Sequence, residues 1–373
     1  MRIVIISNML NHHQLPLCNA FLNMDDVEFH FIATEPIHSE QLNLGYSDMN
    51  HSYPFVICSY DSPENVLLAE QMCFDADVVV IGSANPYFVK RRIKFGKIVF
   101  CYSERLFKSN NPLINLGRGI KWFFKSRQLG GNKKNCFLLC AGSFVSNDYK
   151  KLGVFRDRMY KWGYFPQRSD VQRDLPSNEI VKIIWVGRLI SWKHPEKVIS
   201  LAEYLVQKGY SFSIDIIGIG PLFDELKKMI FQKHLENYVS LLGSCSPDDV
   251  KAHMRHADIF VSTSDRGEGW GAVINEAMDS GCAVVASDEI GSVAYLIQNN
   301  SNGIVYNSRL NDDLFAATES LIVDKDLCRM LGDNAHNTIE NEWNADVAAN
   351  RLLLLYGNLT SEGIIDNGIC SRI

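Results

Sequence analysis

At 373 residues the chain is too long for one ordinary core, and 46% apolar with 21% charged residues is the composition of a folded two-domain protein, not of a disordered or fibrous one. The ten cysteines are scattered without zinc-ribbon or redox spacing, several of them in apolar runs such as "PFVICSY" and "KIVFCYS", so a reducing, cytoplasmic compartment is expected. The net charge of −6 conceals a division: residues 90–161 carry 18 Lys and Arg against three acids, a net of +15 that leaves the remainder at −21 and points to an anionic partner.

The chain opens on "RIVIIS", a first β-strand that turns polar at Ser7-Asn8 too soon for a signal peptide. No run approaches the roughly 18 apolar residues of a membrane span. Asn11, His12 and His13 follow that strand. A His at a helix N-terminus is pushed toward its neutral form, which suits a base or a hydrogen-bond partner; capping and solvation are the plainer roles. The strands "VEFHFIA", "DVVVIG", "KIVFCY" and "CFLLCAG" come next, most of them separated by helical patterns. "CYSERLFK" sets Glu104 and Arg105 at a strand end, on the edge where a ligand would bind, or as a structural ion pair. "GIKWFFKSRQLGGNKKN" (119–135) joins aromatics to Lys and Arg. It fits an interfacial segment or a core helix with Trp122 and Phe123 turned inward.

"GYFPQRSDVQRDLPSNE" (163–179) interrupts the alternation and is the expected linker. The expected domains are 1–165, 166–345 and 346–373, the last a helix packing back on the first domain with a tail. The second half repeats the theme with "IVKIIWVG", "SIDIIG", "YVSLLG", "DIFVSTS" and "CAVVAS". A faint echo, "FDADVVVIGS" against "RHADIFVSTS", sets Ala-Asp before an apolar strand in both halves. Alternating strands and helices predict an α/β protein of two doubly wound, Rossmann-like domains facing a cleft, with ligands at the carboxyl ends of the strands.

Two constellations in the second half carry chemistry. In "WVGRLISWKHPEK" a strand ends at Gly187 and Arg188, with Lys193 shortly after; cations there could neutralise a diphosphate leaving group or be solvated surface charges. In "SDRGEGWGAVINEAM", Gly267, Gly269 and Gly271 permit close backbone approach, and a helix runs on toward Gly281. Glu276 falls roughly 9 Å along that helix, about the distance from a diphosphate to its ribose, and Glu268 precedes the helix.

These motifs, with "IGIGPLFDELKK" and "LLGSCSPDDVKAHMRHADIFVSTS" in order between them, resemble the C-terminal domain of GT-B glycosyltransferases over about 170–345, and most of all family 4 with its E-x7-E motif. The resemblance implies a retaining transferase moving a sugar from a nucleotide diphosphate donor, UDP- or GDP-linked, to a glycan or lipid-linked acceptor in cell-surface polysaccharide synthesis. It implies no metal and no other cofactor. Arg188 and Lys193 then bind the diphosphate, Glu268 the donor sugar and Glu276 the ribose. Gly269, Trp270 and Gly271 present backbone N–H groups, Gly218 and Gly220 flank the nucleotide, and Ser244, Cys245 and Ser246 lie near the base. The resemblance makes 1–165 the acceptor side and 166–345 the donor side, with Asn11, His12, His13, Glu104 and Arg105 the acceptor-side candidates and His13 the catalytic one. The first strand is followed by "SNMLNHHQLPL" where the family often carries Gly-Gly. A metal-dependent GT-A-like enzyme would use Asp75 and Asp77 of "DAD", which lead straight into a buried strand; a dehydrogenase lacks its glycine turn. A non-catalytic nucleotide-sugar-binding protein on the same fold is the alternative from another class. The basic window suggests peripheral binding to an anionic membrane surface, and no nucleic-acid motif accompanies it.

Overall fold

The computed structural model describes residues 1–37, 47–109, 111–168, 180–359 and 366–373; most of the expected linker, 169–179, lies outside them. The chain forms two compact units, Met1–Gln167 with Ala345–Ile373, and Arg168–Asn344.

The first unit holds β1 (Arg2–Ser7), β2 (Glu28–Ala33), β3 (Val56–Cys58), β4 (Val78–Ile81), β5 (Val99–Glu104), β6 (Cys136–Ala141) and β7 (Met159–Trp162). They form a sheet in the order β3-β2-β1-β4-β5-β6-β7, parallel throughout. The second unit holds β8 (Val181–Val186), β9 (Phe212–Ile217), β10 (Val239–Gly243), β11 (Ile259–Ser262), β12 (Ala283–Ser287) and β13 (Ile304–Tyr306). Their order, β10-β9-β8-β11-β12-β13, is parallel too and repeats the first sheet's plan. Helices cover both faces of such sheets, so central strands are apolar on every residue. β4, β6, β11 and β12 are buried along their whole length.

In each sheet the strand order reverses beside the first strand, between β1 and β4 and between β8 and β11. The Ala-Asp echo is the fastener of that junction. Asp77 donates its N–H to the Arg2 carbonyl at 2.9 Å and accepts the Arg2 N–H on its carboxylate at 2.8 Å. Asp258 does the same to Lys182, at 2.8 and 2.9 Å. Each carboxylate satisfies a backbone donor that starts the neighbouring strand. Asp75 accepts from Gln71 Nε2 at 2.6 Å. The "DAD" run is therefore built into the amino-terminal edge of its sheet, opposite the edge where ligands of such folds bind.

Helix starts follow local chemistry: Ser62 and Ser246 accept the Asn65 and Asp249 N–H groups ahead of Pro63 and Pro247. Helix Ala345–Gly357 packs on helix Leu15–Leu22 of the same unit. The last residues run along β7, where Cys370 N–H donates to the Lys161 carbonyl at 2.8 Å and Lys161 N–H to the Ser371 carbonyl at 2.9 Å, covering an edge that would otherwise be open. All ten cysteines are free thiols, and only Cys245 is not fully buried. Among the described residues no helix is long and apolar enough to cross a membrane.

Candidate active site

The carboxyl edge of the second sheet is built around backbone contact. Past the end of β8, Gly187 N–H donates to the Ile217 carbonyl (3.0 Å) and Leu189 N–H to the Ile219 carbonyl (2.9 Å), so the loops after β8 and β9 stay zipped beyond the strands. At Gly218, φ is +142° and a Cβ would lie 1.9 Å from the Gly187 oxygen; at Gly220 it would lie 2.4 Å from the Leu189 oxygen. The protein's own backbone thus requires both glycines, and they set the position of the loop expected to flank the nucleotide.

Lys193 ends a single 3-10 turn, Ser191–Lys193. Its carbonyl accepts from Thr263 Oγ1 at 2.6 Å, and that hydroxyl oxygen in turn accepts from the Nε1–H of buried Trp185 at 2.9 Å. One hydroxyl therefore ties the lysine to the ends of β8 and β11. Lys193 Nζ forms an ion pair with Glu268 Oε2, and the two side chains are only 14% and 18% exposed. Arg188 is exposed, with its guanidinium carbon 5.7 Å from the Trp192 ring centroid. Trp192 in turn lies on Gly267, where a Cβ would come within 2.8 Å of it. Asp265 organises the rest: its Oδ1 accepts the Gly267 N–H at 2.7 Å, and its carbonyl accepts the Glu268 N–H at 3.0 Å. His194 sits between carboxylates, Nδ1 2.8 Å from Glu196 and Nε2 3.2 Å from Asp265. The hydrogen bond to Glu196, then that to Asp265, raises the imidazole pKa and favours a positive charge.

Gly271, at φ +88°, turns the chain into helix Ala272–Asp279. Glu276 is four residues past Ala272, so it lies ~6 Å along the helix and not the ~9 Å expected. Burial pushes its carboxyl up to about 7, opposed by Lys251 and reinforced by Asp279. Trp270 is 1% exposed; its Nε1–H donates to Asn275 at 2.8 Å and its ring stacks on Trp343 at 5.8 Å, which leaves only its backbone for a ligand. Ser244 is exposed and Cys245 half-buried in the loop after β10, while Ser246 caps helix Pro247–His256.

The first unit has a different edge. A cavity at the junction of β1 and β4 is lined by His13, Ser7, Gly82, Tyr102, Trp162 and Tyr164, among others. His13 stacks on Tyr164 at 5.6 Å with the planes within 1°, and burial, with nearby His12, pushes its pKa down to about 3. Asn11 Oδ1 accepts the His13 N–H (3.0 Å) and the Gln14 N–H (3.2 Å), so it fastens the turn, while His12 is exposed. Glu104 accepts from the Tyr164 hydroxyl and pairs with Lys108. Arg105 departs from expectation: it is 6% exposed, its guanidinium over Phe144 at 4.3 Å, because the residue after β5 turns into the core instead of outward. Among the described residues, His51, Cys58 and Asp61 group their ligand-type atoms within 4.8 Å. Both ring nitrogens of His51 already face carboxylates, Asp48 at 2.8 Å and Asp61 at 3.3 Å.

The family model of glycosyl transferases group 1 matches residues 168–338. These residues form a group 1 glycosyltransferase domain. A GDP-mannose-dependent alpha-(1-6)-phosphatidylinositol monomannoside mannosyltransferase of Mycobacterium tuberculosis is 24% identical over 225 residues, 58% of this chain and 57% of that protein. The amylovoran biosynthesis glycosyltransferase AmsK of Erwinia amylovora is 30% identical over 148 residues, 38% of this chain and 36% of its own. The chain thus spans little more than half the length of the first and about a third of the second. The Anabaena protein Alr3699/HepE, solved with UDP and glucose, superposes with a TM-score of 0.64 at 16% identity, covering 95% of this chain and 98% of that one. The fold is GT-B.

Within the group 1 domain, Lys193, Glu268 and the glycines expected from sequence come together at the switch between β8 and β11. Thr263, Trp185, His194 and Asp265 are the additions. "KHPE" beside Lys193 and the Thr at the end of "DIFVST" were the available signals, but the partner of each lies about seventy residues away in the chain.

Proposed function

We propose that the protein transfers a sugar, with retention of configuration, from a nucleotide diphosphate donor held by the group 1 domain to a glycan or lipid-linked acceptor. The observation that carries this reading is the Lys193–Glu268 pair, set by Thr263 and Trp185 at the carboxyl ends of β8 and β11. A cation and a carboxylate at one switch point suit two charges that develop together, negative on the departing diphosphate and positive at the anomeric carbon. On that basis Lys193 and exposed Arg188 neutralise the diphosphate, and Glu268 orients the sugar and stabilises its charge. Glu276 accepts hydrogen bonds from the ribose hydroxyls, which favours its ionised form on binding. His13, neutral at ordinary pH, and Glu104 are the acceptor-side groups of the first unit.

A mycobacterial relative named for GDP-mannose and a structural neighbour solved with UDP keep both bases in view. Names that specify a phosphatidylinositol mannoside and amylovoran favour cell-surface glycolipid or polysaccharide synthesis, at the cytoplasmic face of a membrane. The cations already present make a metal unnecessary for the leaving group, so turnover should survive EDTA; loss rescued by Mn²⁺ would refute that. A thermal-shift screen of UDP, GDP, ADP, CMP and dTDP sugars identifies the donor, followed by release of nucleotide diphosphate on addition of acceptor. Binding without any release, across glycan and lipid-linked acceptors, would leave a nucleotide-sugar-binding protein instead of an enzyme.

A further inference from the structure

Helix Pro112–Gln128 carries its apolar residues on two faces. Trp122 and Phe123 turn inward and pack against the core of the first unit, and Ser126 is buried beneath them. Leu113, Leu116, Ile120 and Phe124 point the other way, exposed by 77%, 61%, 56% and 60%. Their spacing of three, four and four residues places them in one stripe along the helix. Arg118, Lys121 and Arg127 are exposed on the same helix, and Lys133 and Lys134 follow it. Lys125 is only half-buried and rests 4.9 Å from the Trp122 ring centroid. From 105 to 147 the chain contains no Asp or Glu at all. Among the described residues no carboxylate forms an ion pair with these cations, and Glu35 is the one acid that acts on Lys125.

We infer that this helix is a docking surface for an anionic lipid bilayer, lying in its interface with Leu113, Leu116, Ile120 and Phe124 inserted among the acyl chains and Arg118, Lys121 and Arg127 on the headgroups. An apolar stripe beside uncompensated cations, on a helix already anchored by its other face, is the composition of an interfacial helix. A second copy of the chain fits worse, since it would bring the same unneutralised cations together. As a partner of the proposed transferase, the bilayer would present a lipid-linked acceptor, and to that extent the inference rests on that reading.

The test is co-sedimentation with vesicles of phosphatidylcholine containing phosphatidylglycerol, against phosphatidylcholine alone. The protein is expected to bind the anionic vesicles at low salt, and to be released as salt rises. The variant Leu116→Ser/Ile120→Ser/Phe124→Ser and, separately, Arg118→Glu/Lys121→Glu/Arg127→Glu should each weaken binding by at least about tenfold. Leu67→Ser/Leu68→Ser, which alters an exposed apolar pair on helix Pro63–Asp75, should leave it unchanged. All variants keep exposed positions only, and unaltered thermal unfolding and nucleotide-induced thermal shift confirm that they fold. A Phe124→Trp reporter should shift its emission to the blue on adding anionic vesicles. Absence of binding at low salt, binding that the triple serine variant retains, or a dimer that the same variant dissolves would each overturn the assignment. Vesicle binding by a protein that binds no nucleotide would sustain the docking helix and defeat the proposed function.

Discussion

The two sheets share one plan down to the aspartate that fastens their first strand, yet their carboxyl edges are finished in opposite ways. In the second unit the edge is ionic: Lys193 against Glu268, Arg188 exposed near the Trp192 ring, and His194 between Glu196 and Asp265, whose hydrogen bonds raise its pKa. In the first unit the equivalent place is mainly aromatic, with His13, Tyr102, Trp162 and Tyr164 around a cavity, His13 driven neutral by burial, and a single ion pair, Glu104 with Lys108, holding the Tyr164 hydroxyl. The scaffold therefore dictates where a ligand can bind, and the residues at the strand ends dictate what it can be. Charge fits a diphosphate; stacked rings with a neutral His fit an uncharged hydroxylated ring.

The largest effect is expected where the ionic edge is broken. Lys193→Ala and Arg188→Ala should each reduce turnover by about 10²-fold or more, since one preorganised charge contact is worth several kcal/mol in a transition state. Lys193→Ala should also destabilise the fold by about 1–3 kcal/mol, because it leaves Glu268 largely buried without its cation. Arg188→Ala, at an exposed position, should not. Steady-state kinetics and thermal melts separate the two, and equal melting losses would show that burial is not what distinguishes them.

Glu276 sharpens the comparison through pH. Its folded pKa, about 7, lies above the ordinary 4.5, so the protonated form is the one the fold favours. The stability this group contributes is present below the unfolded pKa and is lost as pH rises through the folded value. Glu276→Gln should therefore stabilise the protein by about 1–2 kcal/mol near pH 8 while weakening nucleotide binding. In the wild type, nucleotide affinity should fall as pH drops below about 7, approaching tenfold per unit, and the Gln variant should lack that dependence. A wild-type affinity flat across this range would remove the carboxylate from the ribose.

The shared plan has its own test. Asp77→Ala and Asp258→Ala each strand a backbone N–H at the same topological position, and both should cost about 1–2 kcal/mol by denaturant titration. A large difference between them would mean that the two fasteners are not equivalent. The smallest effect is expected at Gly117, in the middle of helix Pro112–Gln128, where a Cβ would meet nothing within 4 Å. Gly117→Ala should raise stability by about 0.5–1 kcal/mol.

How much of this could be read in the sequence follows from burial. Central strands have helices on both sides and appear as unbroken apolar runs, so β1, β4, β6, β8, β11 and β12 were legible. The three strands that were not, β3, β7 and β13, have three, four and three residues and all lie at sheet edges. A short edge strand has too few buried positions to set a pattern. At the site the glycines and charged residues were visible as local spacing. Their partners were not. Lys193 meets Glu268 and Thr263 because β8 and β11 are neighbours in the sheet, and no local period encodes that adjacency. Arg105 misled for the same reason: position at a strand end was legible, but whether the side chain turned to solvent or to Phe144 was not.

The central claim is that the ionic edge of the group 1 domain holds a nucleotide diphosphate through Lys193. Isothermal titration of UDP and of GDP into the wild type and the Lys193→Ala variant, in the presence of EDTA, tests it most directly. One of the two nucleotides is expected to bind the wild type and to lose at least about tenfold in affinity to the variant. Equal affinity for a folded Lys193→Ala protein, or no binding of either nucleotide to the wild type, would contradict it.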